Sequence, residues 1–389
     1  MVRIAMMGDY PRDPEHVGGG VEAVTLYLLG ELQRFDDLEL HMITMRPDVK
    51  EKVVCYDRTT VHYIATNYRR NALTLDSHHR RLLRQKLTAL QPDLVHAHIA
   101  GTYHLATLGM GFPTVLTLHG VRRNETALWR GWRSQLYRRW VITYQEWASV
   151  RAAEHVIAIS PYIRREFGRT VRGQIYDIEN PICDRFFAIE RREQPNRVLY
   201  AGHISVRKGI LELLQAVNMV RQRIPDLQVR LAGRMSSDQT YIEQVRSYVR
   251  DHSLEDCIRF LGPLDEKNLL DEYARCTLLV LPSRQETAPM VIEEAMAARV
   301  PVVATRVGGV QDLVSDGRTG FVVELGDTKG LADAMVRTLA DADLRARMGE
   351  AGRIEADRRF RADAVACQTR KVYDQILNHS SALSRVEVE

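Results

Sequence analysis

Short apolar and β-branched runs alternate with longer amphipathic stretches along the whole chain. In the first half the runs are Arg3–Met7, Leu38–Thr44, Leu94–His98, Thr114–Leu118 and Val156–Ile159, each of a length suited to a buried strand. Among them lie Val21–Gln33 and His78–Leu90, which read as amphipathic helices. The second half repeats the rhythm with Arg197–Ala201, Gln228–Ala232, Ile258–Leu261, Leu278–Leu281, Val300–Ala304 and Gly320–Val323. Helical intervals such as Ile210–Arg223, Tyr241–Asp251, Asn268–Cys276 and Val291–Ala298 separate most of these. Strands alternating with helices predict parallel sheets covered on both faces, hence an α/β protein of two doubly wound units. Glu179–Asn196 contains Asn180-Pro181, a second proline and the charge run Glu190-Arg191-Arg192-Glu193, the composition of a linker. It divides the chain into domains over 1–180 and 197–366, with 181–196 between them and a terminal segment over 367–389.

A length of 389 residues suits two domains, and 45% hydrophobic residues exclude a disordered or collagen-like chain. No apolar run approaches the ~18–20 residues that span a bilayer. The opening apolar run meets Asp9 too soon for a signal peptide and reads as a buried first strand. Five scattered cysteines without a CxxC pair argue against a disulfide framework or zinc ribbon and suggest a reducing cytoplasm. The net charge of +4 is unevenly spread: residues 66–172 hold 17 basic against six acidic side chains. Such asymmetry suits an anionic partner, whether phosphate or membrane surface; no nucleic-acid-binding motif accompanies it.

In open parallel sheets ligands bind beyond the carboxyl ends of the strands, so the residues that follow each strand carry the candidate chemistry. After the first strand, Gly18-Gly19-Gly20 leads into a helix, which suits close backbone approach to an anion. The pattern is neither GxGxxG nor a P-loop. His119-Gly120 follows Thr114–Leu118, and His96 and His98 lie two apart on one face, with no third ligand to suggest a metal. Glu286 falls in a loop and Glu294 in the helix after it, where carboxylates can accept hydrogen bonds from sugar and ribose hydroxyls. The helix N-terminus beside them can receive phosphate. Gly202-His203, Lys208-Gly209 and Gly308-Gly309 sit at neighbouring strand ends, the last pair suited to a phosphate-adjacent loop. One cation, glycine turns and two carboxylates describe a nucleotide-sugar site better than a redox dinucleotide site.

With these residues the chain resembles the family-four retaining glycosyltransferases (glycosyl transferases group 1). Their Glu-seven residues-Glu motif is matched by Glu286 and Glu294. Gly18–Gly20, Pro92–His98, His119-Gly120, Ile159-Ser160, Gly202, Lys208-Gly209, Gly308-Gly309 and Asp316–Gly320 follow in family order. The resemblance implies a GT-B fold: two Rossmann-like domains facing across a cleft, the first for acceptor and the second for a UDP- or GDP-sugar. It also implies a helix within 367–389 that crosses back to the first domain, with a loose tail. Glu294 would bind ribose, Glu286 the donor sugar near the reacting carbon, and Lys208 the diphosphate. Gly18, Gly19, Gly20, Gly202, His203, Ala288, Pro289, Met290 and Val291 would complete the donor site. His119 would line the sugar pocket, with Glu22, His98 and Arg122 toward the acceptor. The implied transfer proceeds with retention, without a metal or other cofactor. Three positions depart from the family: His203 for the usual Arg, Pro289 for a frequent Gly, and Arg299 where Gly usually makes a left-handed helix cap.

All four tryptophans (Trp129, Trp132, Trp140, Trp147) fall in one arginine-rich stretch that also holds Arg122, Arg130, Arg133, Arg138 and Arg139. Trp and Arg on an amphipathic helix suit an anionic membrane surface, and equally a helix packing its rings into the core. Three functions stay open: sugar transfer to a lipid-linked, membrane-presented acceptor at the inner face of the cell membrane; transfer to a soluble acceptor; or a non-catalytic nucleotide-sugar-binding scaffold.

Overall fold

The computed structural model describes residues 1–66, 76–126 and 133–386, with side chains except at 133–135 and 380–386. It divides into two compact units. The first comprises Met1–Pro14, Val21–Pro181 and Ala362–Glu389; the second comprises Glu15–Gly20 and Ile182–Arg361.

The first unit holds β1 (Val2–Met7), β2 (Leu38–Arg46), β3 (Lys52–Tyr56), β4 (Thr59–Ala65), β5 (Leu94–Ala97), β6 (Thr114–Leu118), β7 (His155–Ala158) and β8 (Gln174–Asp177). They form one sheet in the order β3-β4-β2-β1-β5-β6-β7-β8. All pairs are parallel except β3 with β4. The interior strands β5 to β7 are almost wholly buried, which is why they read as unbroken apolar runs. β3, β4 and β8 have no counterpart among the strands predicted from sequence. The two edge strands β3 and β8 lie largely in view of solvent and carry mixed residues, so neither hydrophobic period marks them.

The second unit holds β9 (Arg197–Ala201), β10 (Gln228–Ala232), β11 (Ile258–Gly262), β12 (Leu278–Leu281), β13 (Val302–Thr305) and β14 (Gly320–Val323), all parallel, in the order β11-β10-β9-β12-β13-β14. Both units are therefore Rossmann-like. In each, strand order reverses once: between β1 and β5, and between β9 and β12. At such a reversal, successive connections leave in opposite directions and open a crevice at the strands' carboxyl ends.

Of residues 181–196, expected as a linker, all but Pro181 fold with the second unit. They include the short helix Asp184–Phe187, whose Phe186 is fully buried. Arg191 donates to the carbonyls of Tyr273 and Cys276, so one arginine anchors the charge run while Glu190, Arg192 and Glu193 stay exposed. The last helix, Ala362–Val386, belongs to the first unit. Its Val365, Ala366, Val372, Tyr373 and Ile376 pack with Ile4, Met6, Leu28 and Leu94. Arg370 forms paired bonds of 2.7 and 2.6 Å to Asp37.

Candidate functional site

In the second unit the reversal between β9 and β12 gathers most of the expected residues. Gly202 follows β9 at φ 146°, and Tyr200 beneath it donates to the His203 carbonyl at 2.8 Å. The His203 residue itself is exposed. The turn Val206–Lys208 ends at Gly209, φ 66°. A Cβ there would stand 2.0 Å from the Pro282 carbonyl, so glycine is what lets this turn lie on the loop after β12.

That contact brings Lys208 to Glu286. Its ammonium lies 2.5 Å from Glu286 Oε1, Ser283 Oγ donates to the same oxygen at 2.6 Å, and Arg207 stands 3.6 Å from Oε2. Burial pushes the Glu286 carboxyl upward, but the charges of Lys208 and Arg207 and the two hydrogen bonds outweigh it. Glu286 is therefore held ionised, below its ordinary range.

Gly308-Gly309, expected in a phosphate-adjacent loop, packs directly on the backbone of the loop after β12. Gly308 has φ 51°, and a Cβ there would stand 1.7 Å from the Glu286 carbonyl. Gly309 N–H donates to that carbonyl at 3.3 Å. The pair thus braces the backbone of Glu286.

The helix Met290–Ala297 starts after Pro289, its N-cap, with no side chain capping its first N–H groups. Proline removes one donor but leaves Met290 and Val291 as the first helical N–H groups. Ala288 precedes them in the loop, half-buried. Glu294 lies on this helix, only 6% exposed, and accepts from Tyr273 Oη at 2.8 Å. Burial pushes its carboxyl up to about 7; the Tyr273 bond opposes the rise and Glu266 adds to it. The two glutamates are thus electrostatically unlike: one fixed as an anion, the other poised near neutrality.

In the first unit the reversal places Asp9 after β1 and His98 after β5, with His98 N–H donating to Met7 O at 2.8 Å. His96, His98 and His119 form a stack, with centroids 4.1 and 5.2 Å apart, and His98 Nδ1 lies 3.0 Å from His119 Nε2. His96 is occupied by Tyr373 Oη at 2.6 Å and Thr117 Oγ1 at 2.7 Å. Burial lowers all three, His96 and His119 to about 3, so each is neutral at physiological pH. His98, expected toward the acceptor, is fully buried, and its Nδ1 holds the His119 ring.

Glu22 pairs with Arg46 at 2.6 Å, while Asp9, raised chiefly by burial and then by Glu22, lies near both Arg46 and Arg122. The Arg122 backbone N–H donates to the buried Glu146 at 2.6 Å. Gly18 and Gly19 are exposed and Gly20 opens the helix Gly20–Leu32. Among the described residues no group of three His, Cys, Asp or Glu side chains is arranged to hold a metal ion.

Ser283, Arg207, Tyr273, Asp9 and Tyr373 escaped the sequence reading. Arg207 could have been flagged as a cation beside Lys208; Tyr273 and Tyr373 reach their partners from 21 and 277 residues away, which no local pattern reports.

The glycosyl transferases group 1 model matches residues 184–355, and the glycosyltransferase family 4 model matches 18–184. Glycogen synthase of Mycobacterium tuberculosis is 30% identical over 290 residues, covering 73% of this chain and 69% of that one. The chain is a group 1 glycosyltransferase. Two solved structures share its fold. Sucrose-phosphate synthase from Thermosynechococcus elongatus superposes with TM-score 0.82 at 24% identity, over 97% of this glycosyltransferase and 100% of that chain. Anabaena HepE, in complex with UDP and glucose, gives TM-score 0.73 at 20% identity over 96% and 100%. No helix among the described residues of this glycosyltransferase is long and apolar enough to cross a membrane.

Proposed function

We propose that the enzyme moves a sugar from a nucleoside diphosphate to an acceptor hydroxyl with retention, without a metal, and that its acceptor is presented at a membrane. The observation that carries the donor reading is the contact of Lys208 with Glu286 at the β9/β12 reversal, in the loop that leads into a helix with no side-chain cap, the helix that bears Glu294. A diphosphate suits Lys208 together with the N–H groups of Met290 and Val291, which offer positive charge and donors where negative charge develops. Ribose hydroxyls donate well to the Glu294 carboxylate, and HepE, a structure of the same fold, is known with UDP.

In the proposed step the bond from the anomeric carbon to the diphosphate oxygen breaks, and a bond to the acceptor oxygen forms on the same face. The acceptor proton passes to the departing phosphate oxygen, and nucleoside diphosphate leaves. Glu286, held anionic, favours the positive charge that grows on the sugar ring. His119, neutral and fixed by His98, can offer or accept a hydrogen bond to a sugar hydroxyl. Gly19 fits close ligand approach: a Cβ there would meet nothing within 4 Å, so packing does not explain the glycine.

Purified protein mixed with UDP- and GDP-sugars and an alcohol or lipid-linked acceptor tests this reading. Nucleotide diphosphate should be released in the presence of EDTA, and the product should keep the donor's anomeric configuration by NMR. Release that depends wholly on added Mg²⁺ or Mn²⁺ would refute the metal-free mechanism; an inverted product would refute the same-face step.

A further inference from the structure

The helix Arg133–Ala152 carries aromatic residues at 137, 140, 144 and 147, a spacing of three and four that puts them on one side. That side is in solvent: Trp140 is 59% exposed, Trp147 48%, Tyr144 46% and Tyr137 45%, with Leu136 beside them at 55%. The opposite side is packed, with Val141, Ile142, Gln145, Ser149 and Val150 all buried. Packing into the core, one of the two readings of this segment, is thus wrong for Trp140 and Trp147; Trp129, Trp132 and Arg130 lie outside the described residues. A contiguous patch of large rings on a soluble surface marks an interaction site.

The geometry of the rings limits what can bind. Tyr137, Trp140, Tyr144 and Trp147 follow one another with centroids 6.4, 5.6 and 6.2 Å apart, and the Arg151 guanidinium lies over Trp147 at 5.5 Å. Each ring turns partly toward the next along the helix, and the ladder as a whole stays open to solvent. An uncharged glycan would leave the arginines of this helix unused. A second copy is opposed by charge. The helix holds four arginines and one acidic residue, Glu146, which is buried against the N–H groups of Arg122 and Arg123. Pairing two such helices would set like charges together. An anionic bilayer meets both conditions: Trp and Tyr edges sit at headgroup depth, and arginines gain from anionic lipid. A cavity of about 260 Å³ lined by Arg123, Trp140, Thr143, Tyr144, Glu146 and Trp147 opens beside the rings, a place for a headgroup.

We infer that this face docks the enzyme on an anionic lipid surface. The same helix, through Glu146, holds the turn at Arg122 and Arg123 that follows His119, so the lipid-facing side and the proposed acceptor side of the first unit are borne by one element. The docking rests on its own residues and needs no particular transfer reaction; it supplies the partner for the membrane-presented acceptor proposed above.

Co-sedimentation of the full chain with phosphatidylcholine vesicles, with and without phosphatidylglycerol, is the test. Binding should require phosphatidylglycerol and fade as salt rises, because the attraction is screened within a Debye length. Trp140→Ala with Trp147→Ala should lower partitioning about tenfold at an unchanged thermal midpoint. Arg138→Gln, Arg139→Gln and Arg151→Gln should each lower it about fivefold. Trp140→Phe with Trp147→Phe should keep most of the binding but lose the part of the blue shift of tryptophan emission on vesicles that these two of the four tryptophans contribute. Indifference of the parent protein to anionic vesicles overturns the inference, as does parent-like binding by the alanine pair. So does a Trp140/Trp147-dependent response to soluble glycogen, or dimerisation, in place of lipid. Nucleotide release from donor alone, measured on the same variants, should stay at the parent level; its absence in the parent counts against the transferase reading and leaves the docking result standing.

Discussion

At the scale of single residues, the ion pair of Lys208 with Glu286 gives each a structural duty beside its proposed one, and mutation can separate the two. The lysine side chain is largely buried, so Lys208→Ala strips a buried carboxylate of its nearest cation as well as removing the proposed phosphate ligand. Breaking a buried pair from one side costs roughly 3–5 kcal/mol, and with Arg207 and Ser283 still in place the expected loss is about 2–3 kcal/mol. Adding Glu286→Gln should return part of that stability while activity stays lost. Urea denaturation and donor turnover measured on both variants check this. A Lys208→Ala protein with parent stability and parent turnover would remove both duties.

Glu294 gives a pH signature with a definite sign. Its carboxyl titrates near 4.5 when unfolded and about 7 when folded, so between those values the folded state holds the extra proton. Stability contributed by the protonated form is therefore full below about pH 4.5 and falls as pH rises through 7. The whole effect is up to about 3 kcal/mol. Glu294→Gln should abolish this component: its melting point relative to the parent should climb from pH 5 to pH 8. In the parent, UDP affinity measured by calorimetry should rise over pH 6 to 8, since ribose hydroxyls bind the ionised form better. A flat affinity profile would count against the ribose role.

At the scale of elements, the end of the helix Met290–Ala297 shows how glycine preferences become visible in their breach. Arg299 adopts φ 57°, the left-handed conformation that the sequence pattern marked as easier for glycine. A non-glycine residue there costs about 1 kcal/mol. Its exposed ion pair with Glu350 at 3.1 Å returns little. Arg299→Gly should therefore raise the melting point by about 2–4 °C in a scan of the whole chain. Gly349→Ala should lower it, because a Cβ at 349 would stand 2.4 Å from the Arg299 carbonyl. A destabilised Arg299→Gly variant would show that the Glu350 contact matters more than the backbone.

At the scale of the molecule, the chain closes its first unit with its last helix. Tyr373 is fully buried, hydrogen-bonded to His96, and packs in the cluster that includes Ile4, Met6 and Leu94. A chain ending at Arg361 should expose that cluster. Hydrogen exchange should then be fast in the strands β1 to β8 of the first unit while 182–361 keeps its protection. The milder Tyr373→Phe leaves a buried imidazole nitrogen without its partner and should cost about 1–3 kcal/mol. If the truncated chain exchanges like the parent, the helix is an accessory and not part of the core.

Read residue by residue, the chain already determined the class of fold. Interior parallel strands are buried on both faces and must be apolar throughout, so β5, β6, β9, β12 and β13 stand out without help. The order of glycines, Lys208, Glu286 and Glu294 carried the family resemblance, and the structure brings two of these residues, Lys208 and Glu286, into direct contact. Three matters waited for the tertiary structure. Edge strands such as β3 and β8 trade a hydrophobic period for solubility and leave no pattern. Partners that fix a site residue, Tyr273 for Glu294 and the Gly308-Gly309 pair for Glu286, are brought in by the winding of the sheet and not by sequence spacing. Lastly, a ring at helical spacing reads the same whether it points inward or outward. Only the packing of Val141, Ser149 and Val150 on the other side of their helix turned Trp140 and Trp147 toward solvent.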